Sequence, residues 1–171
     1  LGSVAHIGSV PLKRTGKLYN PTITLTPGGA VHDTSQQLHL FDVDVEGERR
    51  VRESDTFAHG EEPAVFTVKG WKIGSSICYD LRFSELYLHY AKIGVDAILI
   101  PSAFLVATGK AHWEIMTRAR AIESQAYVLA AAQGGTHKGV QGGERSTYGH
   151  SMIIGPWGDV LAECPDPFGD E

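Results

Sequence analysis

The sequence predicts an α/β layered domain, and three observations predict it. Between residues 64 and 133, segments that read as strands alternate with segments whose apolar residues recur at helical spacing. The apolar runs after each of those helices are short and continuous, as in strands of a parallel sheet. Hairpin patterns stand on either side of this alternating stretch.

Taken in order, "LYNPTITLTPGGAVHDT" reads as a strand, a Pro27-Gly28-Gly29 turn and a second strand from Ala30. Residues 42 to 63 are charged and lack a clear period, which predicts a surface loop. "AVFTV" and "WKIGSSIC" follow as two strands around Lys69-Gly70, the second alternating Trp71, Ile73, Ser75 and Ile77 on one face. Leu86, His89, Tyr90 and Ile93 then fall at helical spacing, with Gly94 placed to end the helix. "AILIP" is expected to be a strand buried on both faces.

Beyond Thr108 a second helix is expected, with Ile115, Ala119, Ile122 and Ala126 as its apolar stripe. It leads into "YVLAAAQ", a third buried strand. The glycine-rich "GGTHKGVQGGERSTYG" reads as a mobile loop, and "HSMIIGPWGDVLAE" as a closing hairpin across Gly155-Pro156-Trp157-Gly158.

A chain of 171 residues with 42% hydrophobic content fits one domain with its own core. The formal charge of −5, with lysine and arginine scattered, gives no footprint for a polyanion, so nucleic acid is not an expected partner. Two cysteines, Cys78 and Cys164, are too few for a disulfide framework and fit a reducing compartment. With no apolar run of membrane-spanning length and no signal-peptide layout, no membrane is expected and the cytoplasm is the expected location. Eight histidines occur without any close ligand pairing, so no metal and no cofactor are expected.

Cys78 carries the chemical question. It ends an apolar strand where a helix is expected to begin, which would place its sulfur near unpaired N–H groups and the positive end of the helix dipole. The backbone N–H of Tyr79 would then face an oxyanion, and acyl transfer through a thiolate becomes the indicated chemistry. On spacing alone a small buried hydrophobe is the commoner identity for such a cysteine.

The residues "GSSICYDLRFSELY" resemble the nucleophile segment of the nitrilase superfamily, the carbon–nitrogen hydrolases. "LHLFDVDVEGERRVRESDTFAHG", "PSAFLVATGKAHWEIMTRARAIESQAYVLAAAQ" and "TYGHSMIIGPWGDVLAE" are similar to three further blocks of that family, in the family's order. Within it the chain is most similar to the Nit-type amidases. The resemblance implies an αββα sandwich and a Glu–Lys–Cys triad, with a second glutamate nearby. Residues 1–171 are then expected to form a single but partial domain, incomplete at both ends.

By the same resemblance, Cys78 is the nucleophile and forms the thioester, while Glu53 stands at the second glutamate. Gln37 occupies the lysine position. Glutamine brings no charge, and charge-assisted hydrogen bonds are about twice as strong as neutral ones; losing one oxyanion donor typically costs on the order of 100- to 1000-fold in rate. No residue of this chain matches the family's upstream general-base glutamate.

Around these lie further candidates. Ser102 and Phe104 follow the "AILIP" strand, at the carboxyl edge where open α/β sheets bind ligands. His112 and Glu114 are expected at the start of the second helix, beside the pocket. Arg118 and Arg120 cannot both face the core, and a solvated or interface role is expected for them. His150 is expected to make structural hydrogen bonds beside the last hairpin, the alternative being a base for Cys78. Together these readings predict an amidase acting on a small linear carboxamide, deaminated glutathione amidase-like or omega-amidase-like, and a homodimer or higher homo-oligomer. The rival expectation is a catalytically impaired relative that binds a metabolite or a protein.

Overall fold

The computed structural model describes residues 3–44, 50–138 and 143–168. Its strands are β1 (Ala5–Ile7), β2 (Leu12–Arg14), β3 (Lys17–Tyr19), β4 (Pro21–Leu25), β5 (Val31–Gln36), β6 (Asp42–Val43) and β7 (Val51–Arg52). They continue with β8 (Ala64–Val68), β9 (Trp71–Ser75), β10 (Ala97–Leu99), β11 (Tyr127–Ala130), β12 (Gly134–Lys138), β13 (Glu144–Tyr148), β14 (Met152–Ile154) and β15 (Val160–Glu163). The two α-helices are α1 (Ser84–Ile93) and α2 (Val106–Ser124).

Six strands form the central sheet in the order β15-β14-β11-β10-β9-β8. β9, β10 and β11 run parallel because α1 and α2 carry the chain back between them, whereas the hairpin-linked outer strands pair antiparallel. Both helices pack on one face. Ile98, Ile100, Val128, Ala130, Met152 and Ile154 point at them and are buried, together with Tyr87, Tyr90 and Trp113 from the helices and the turns beside them. Gly74 is where Tyr90 crosses the sheet; a Cβ there would lie 3.2 Å from three atoms of the tyrosine ring.

The opposite face carries the alternate residues. Leu99 is half-buried, and Leu129 and Ile153 are exposed at 38% and 43%. "AILIP" and "YVLAAAQ" are therefore buried on one side only among the described residues, which corrects the expectation of strands buried on both. A three-stranded sheet, β1-β4-β5, lies on part of this face: the His6 ring stacks on Phe66 of β8 at 5.7 Å, and β5 packs on β8. The described layers are thus helices, large sheet and small sheet, which is the expected sandwich without a helical layer outside the small sheet.

Most hairpins stand as read. β4 and β5 pair Leu25 with Val31 around the Pro27-Gly28-Gly29 turn, and β14 and β15 close around Gly158, whose φ of +87° a side chain would strain. Two loops do not. Residues 42 to 63 contain the β6–β7 ladder and a 3₁₀ turn, Glu53–Asp55. The glycine-rich stretch forms the β12–β13 hairpin, in which Thr136 and Ser146 hydroxyls bond at 3.0 Å and His137 bonds Thr147 at 2.8 Å. Cross-strand hydroxyl pairs of this kind outweigh the local glycine signal; residues 139–142 lie outside the described ones.

The helices also differ from their sequence stripes. In α1, Leu86 and Tyr90 are buried as expected, but the third core residue is Tyr87, and His89 faces solvent. In α2 the expected apolar stripe is split: Ile115 and Ile122 are 72% and 48% exposed and Ala119 is half-buried, while Ala126, just past the helix end, is buried. The buried face is instead Gly109, Trp113, Thr117, Arg120, Ala121 and Ser124.

Candidate functional site

Cys78 opens a five-residue 3₁₀ turn, Cys78–Arg82, at the carboxyl end of β9, and α1 begins only at Ser84. Its backbone is in the left-handed region, φ +47°, a conformation that costs a non-glycine residue about 1–2 kcal/mol. Such a turn persists only when its surroundings hold it. The Cys78 N–H donates to the Pro101 carbonyl at 2.9 Å, and the Ser76 N–H to Leu99 at 3.0 Å, stitching the turn to the end of β10.

Asp80 holds it from the other side. This buried carboxylate accepts from the Ile77 N–H at 3.0 Å, the Leu38 N–H at 3.2 Å and the His39 N–H at 2.8 Å, and pairs with His39 Nδ1 at 2.8 Å. The His39 ring in turn stacks on Phe83 at 3.6 Å. One side chain therefore ties the cysteine turn to the strand end that carries Gln37. Sequence reasoning missed it, although an acid three residues after a strand end is the spacing that lets a carboxylate reach back to a backbone N–H.

Gln37 is buried at 2% exposure with both ends of its amide engaged. Nε2 donates to Glu53 Oε2 at 3.0 Å and to the His39 carbonyl at 2.8 Å, while Oε1 accepts from Asn20 Nδ2 at 3.3 Å. Glu53 Oε2 also accepts the Phe41 N–H at 2.8 Å. Gln37 and Glu53 are thus brought together, but the partner of the carboxylate is a neutral amide.

Cys78, Glu53, Gln37 and Tyr79 all line one cavity of about 1280 Å³, which runs along the carboxyl edge of the sheet and over its open face. Ser102 and Phe104 line it as expected. So do Asn20, Phe41, Arg82 and Arg145, which sequence reasoning did not single out. The Arg82 guanidinium lies over the rings of Tyr79 and Phe104, 5.8 and 5.5 Å from their centres. A cation between two aromatic faces is favourable, but no linear spacing connects residues 79, 82 and 104.

Two expected residues are elsewhere. α2 starts at Val106, so His112 and Glu114 sit in its second and third turns rather than at its start. His112 is exposed and touches the cavity only through Arg82 Nη1, 3.3 Å away. Glu114 pairs with Arg118 at 2.9 Å on the solvent side of the helix. Arg118 is exposed as expected, whereas Arg120 is buried: it donates to the Leu81 carbonyl at 3.0 and 2.9 Å and to Glu123 at 2.8 Å. Its planar fork reaches the end of the cysteine turn, which explains why α2 turns this face inward.

His150 bonds Glu163 Oε1 at 2.7 Å and stacks on Tyr148, the structural role expected beside the last hairpin. Both cysteines are free, and among the described residues no cluster of ligands could hold a metal ion.

The electrostatics of Cys78 correct one expectation. Burial pushes its thiol up. The Ala103 N–H, which points at the sulfur, and the Arg145 charge act against this, while the Glu53 and Asp80 carboxylates add to it. A long helix dipole is absent at the sulfur because a short 3₁₀ turn intervenes, so desolvation wins.

A layered α/β sheet that lifts a cysteine on a strained turn into a cavity, with a carboxylate on the facing wall, defines a class: α/β proteins with a thiol-bearing site at the carboxyl edge of the sheet. Within that class, the chain belongs to the carbon–nitrogen hydrolase family, whose model matches residues 2–170. It is 46% identical to deaminated glutathione amidase of Rattus norvegicus over 156 residues, covering 90% of this chain and 46% of that protein. To omega-amidase NIT2 of Xenopus tropicalis it is 41% identical, covering 92% of this chain and 55% of that one. The solved NitFhit protein of C. elegans superposes with a TM-score of 0.83 at 40% identity, covering 96% of this chain and 40% of that one. The chain spans about half the length of the curated relatives it matches. No described helix is long and apolar enough to cross a membrane.

Proposed function

We propose that the chain acts as an amidase, hydrolysing a small linear carboxamide to a carboxylic acid and ammonia through a thioester on Cys78, without a cofactor. The observation that carries this reading is the strained Cys78 turn, which Asp80 and the Pro101 carbonyl hold at the cavity while Glu53 stands on the same wall. A costly backbone conformation fastened by several hydrogen bonds is what a presented side chain needs and a buried filler does not.

In the first step the sulfur bonds to the amide carbon, the carbon–nitrogen bond breaks, and the nitrogen leaves as ammonia with the thiol proton. Water then attacks the thioester, releasing the acid and restoring the thiol. Glu53 orients the amide, and the Tyr79 N–H receives the oxyanion. Ser102 and Phe104 shape the wall beside the substrate. The names of the relatives, deaminated glutathione amidase and omega-amidase, support a substrate of that size and type. We place the protein in the cytoplasm and read it as a homodimer; the exposed Ile115 and Ile122 of α2 support the dimer.

Ammonia release from the monoamide of a small dicarboxylic acid, and from deaminated glutathione, tests the proposal. Cys78→Ala should abolish it with the fold intact; turnover that survives the substitution contradicts it. One observation favours a second reading: Gln37 leaves Glu53 without a cationic partner. In that reading the chain binds such amides without cleaving them, and calorimetry shows binding where no ammonia is released.

A further inference from the structure

We propose that Arg145, reaching the cavity from β13, is the cation that serves the Cys78 sulfur in this chain. The inference rests on the reading of Cys78 as the reacting thiol. It starts from a deficit: the residue hydrogen-bonded to Glu53 is an amide, so the pair contributes a net negative charge beside the sulfur.

The groups that bear on Cys78 come from several elements. Glu53 faces it from the 3₁₀ turn after β7, and Asp80 and Arg82 share its own turn. Glu163 and His6 also line the cavity. Arg145 is the cation tied to the sulfur's immediate surroundings: its Nη2 donates to the Ala103 carbonyl at 3.3 Å, and the N–H of that same Ala103 points at Cys78. The bridge between Leu105 and Thr147 fixes β13 against this segment, and Tyr148 N–H donates to Phe104 at 2.9 Å. The β12–β13 hairpin is thereby fastened to residues 103–105, and Arg145, itself exposed, lines the cavity from there.

Arg82 does not fill this role. Its guanidinium is occupied between two aromatic rings and the sulfur of Met116, 3.9 Å away. Arg145 enters the balance of charges on Cys78, and with the sign that favours the thiolate.

The test reads thiolate directly and needs no amide turnover. The protein is alkylated with iodoacetamide across pH, the sulfur–carbon bond forming as iodide leaves, and the adduct on Cys78 is quantified by mass spectrometry. Arg145→Met should move the midpoint of the Cys78 profile up by about half a pH unit, a roughly threefold loss of rate below the midpoint. Arg145→Gln, which keeps a donor for the Ala103 carbonyl but no charge, should behave like Arg145→Met, and Arg145→Lys should restore most of the rate. Added salt should narrow the difference between the parent protein and Arg145→Met. Superimposable profiles for parent and Arg145→Met, or a parent-like Arg145→Gln, overturn the proposal. A protein that shows the shift yet releases no ammonia from any amide would keep Arg145 in this role and remove the proposed activity instead.

Discussion

Two carboxylates flank the segment from Gln37 to Phe41 that joins β5 to β6, and their surroundings differ. Asp80 is 1% exposed and spends its oxygens on three backbone N–H groups and the His39 ring. Glu53 is half-buried on the cavity wall, with one oxygen shared between the Gln37 amide and the Phe41 N–H. The first is enclosed by the chain it holds; the second faces space that a ligand can enter. The difference separates a carboxylate that builds the site from one that is available to act in it.

The sharpest way to break this contrast is to remove each group in turn. Asp80→Ala strips partners from one buried and two part-buried backbone N–H groups at once, and should lower unfolding free energy by about 3 kcal/mol in urea titrations. Gln37→Lys places a cation against Glu53 and should raise amide turnover by about tenfold or more, roughly 1.4 kcal/mol in the barrier. A lysine variant no faster than the parent would mean that Glu53 needs no cation. Glu53→Gln should change stability by less than about 1 kcal/mol. Because the Glu53 charge pushes the Cys78 thiol up, the same substitution should speed alkylation of Cys78 at neutral pH while slowing amide turnover; a slower alkylation would reverse the sign we assign to that charge.

His6 offers the smallest effect, on the small sheet away from the cysteine turn. Burial lowers its pKa from 6.5 to about 4, so the folded state resists the protonation that the unfolded chain accepts. That resistance costs stability as pH falls from about 6.5 towards 4, and nothing above that window. His6→Gln should flatten the dependence there, as melting temperatures across pH would show.

Much of the fold was legible because it follows period and punctuation. β8, β9, β10, β11, β14 and β15 were all readable as strands, and Gly94 and Gly158 mark the end of α1 and the β14–β15 turn. The direction of α2 was not legible. Its apolar residues Ile115 and Ile122 face out, and Arg120 faces in because the Leu81 carbonyl and Glu123 satisfy its guanidinium. A period tells which residues share a face, but the partner that covers that face is decided elsewhere in the chain. The glycine-rich stretch failed for a related reason, since the Thr136–Ser146 and His137–Thr147 pairs join residues ten apart.

The cavity lining divides the same way. Cys78, Gln37 and Glu53 could be singled out because each lies in a compact block of sequence, and all three line the cavity. Arg82, Arg145 and Asp80 were not, because their partners lie on other elements: Phe104 for the first, Ala103 for the second, Leu38 and His39 for the third. His112 and Glu114 were placed too near the cavity because α2 starts six residues earlier than their position as a first turn requires.

The most direct measurement is intact-protein and peptide mass spectrometry after acid quenching of the protein with a small carboxamide. An acyl group, the amide minus ammonia, should appear on the peptide that holds Cys78 and be absent from Cys78→Ala. An acyl group found only on Cys164, or none at all while ammonia accumulates, would contradict a thioester at the cysteine turn.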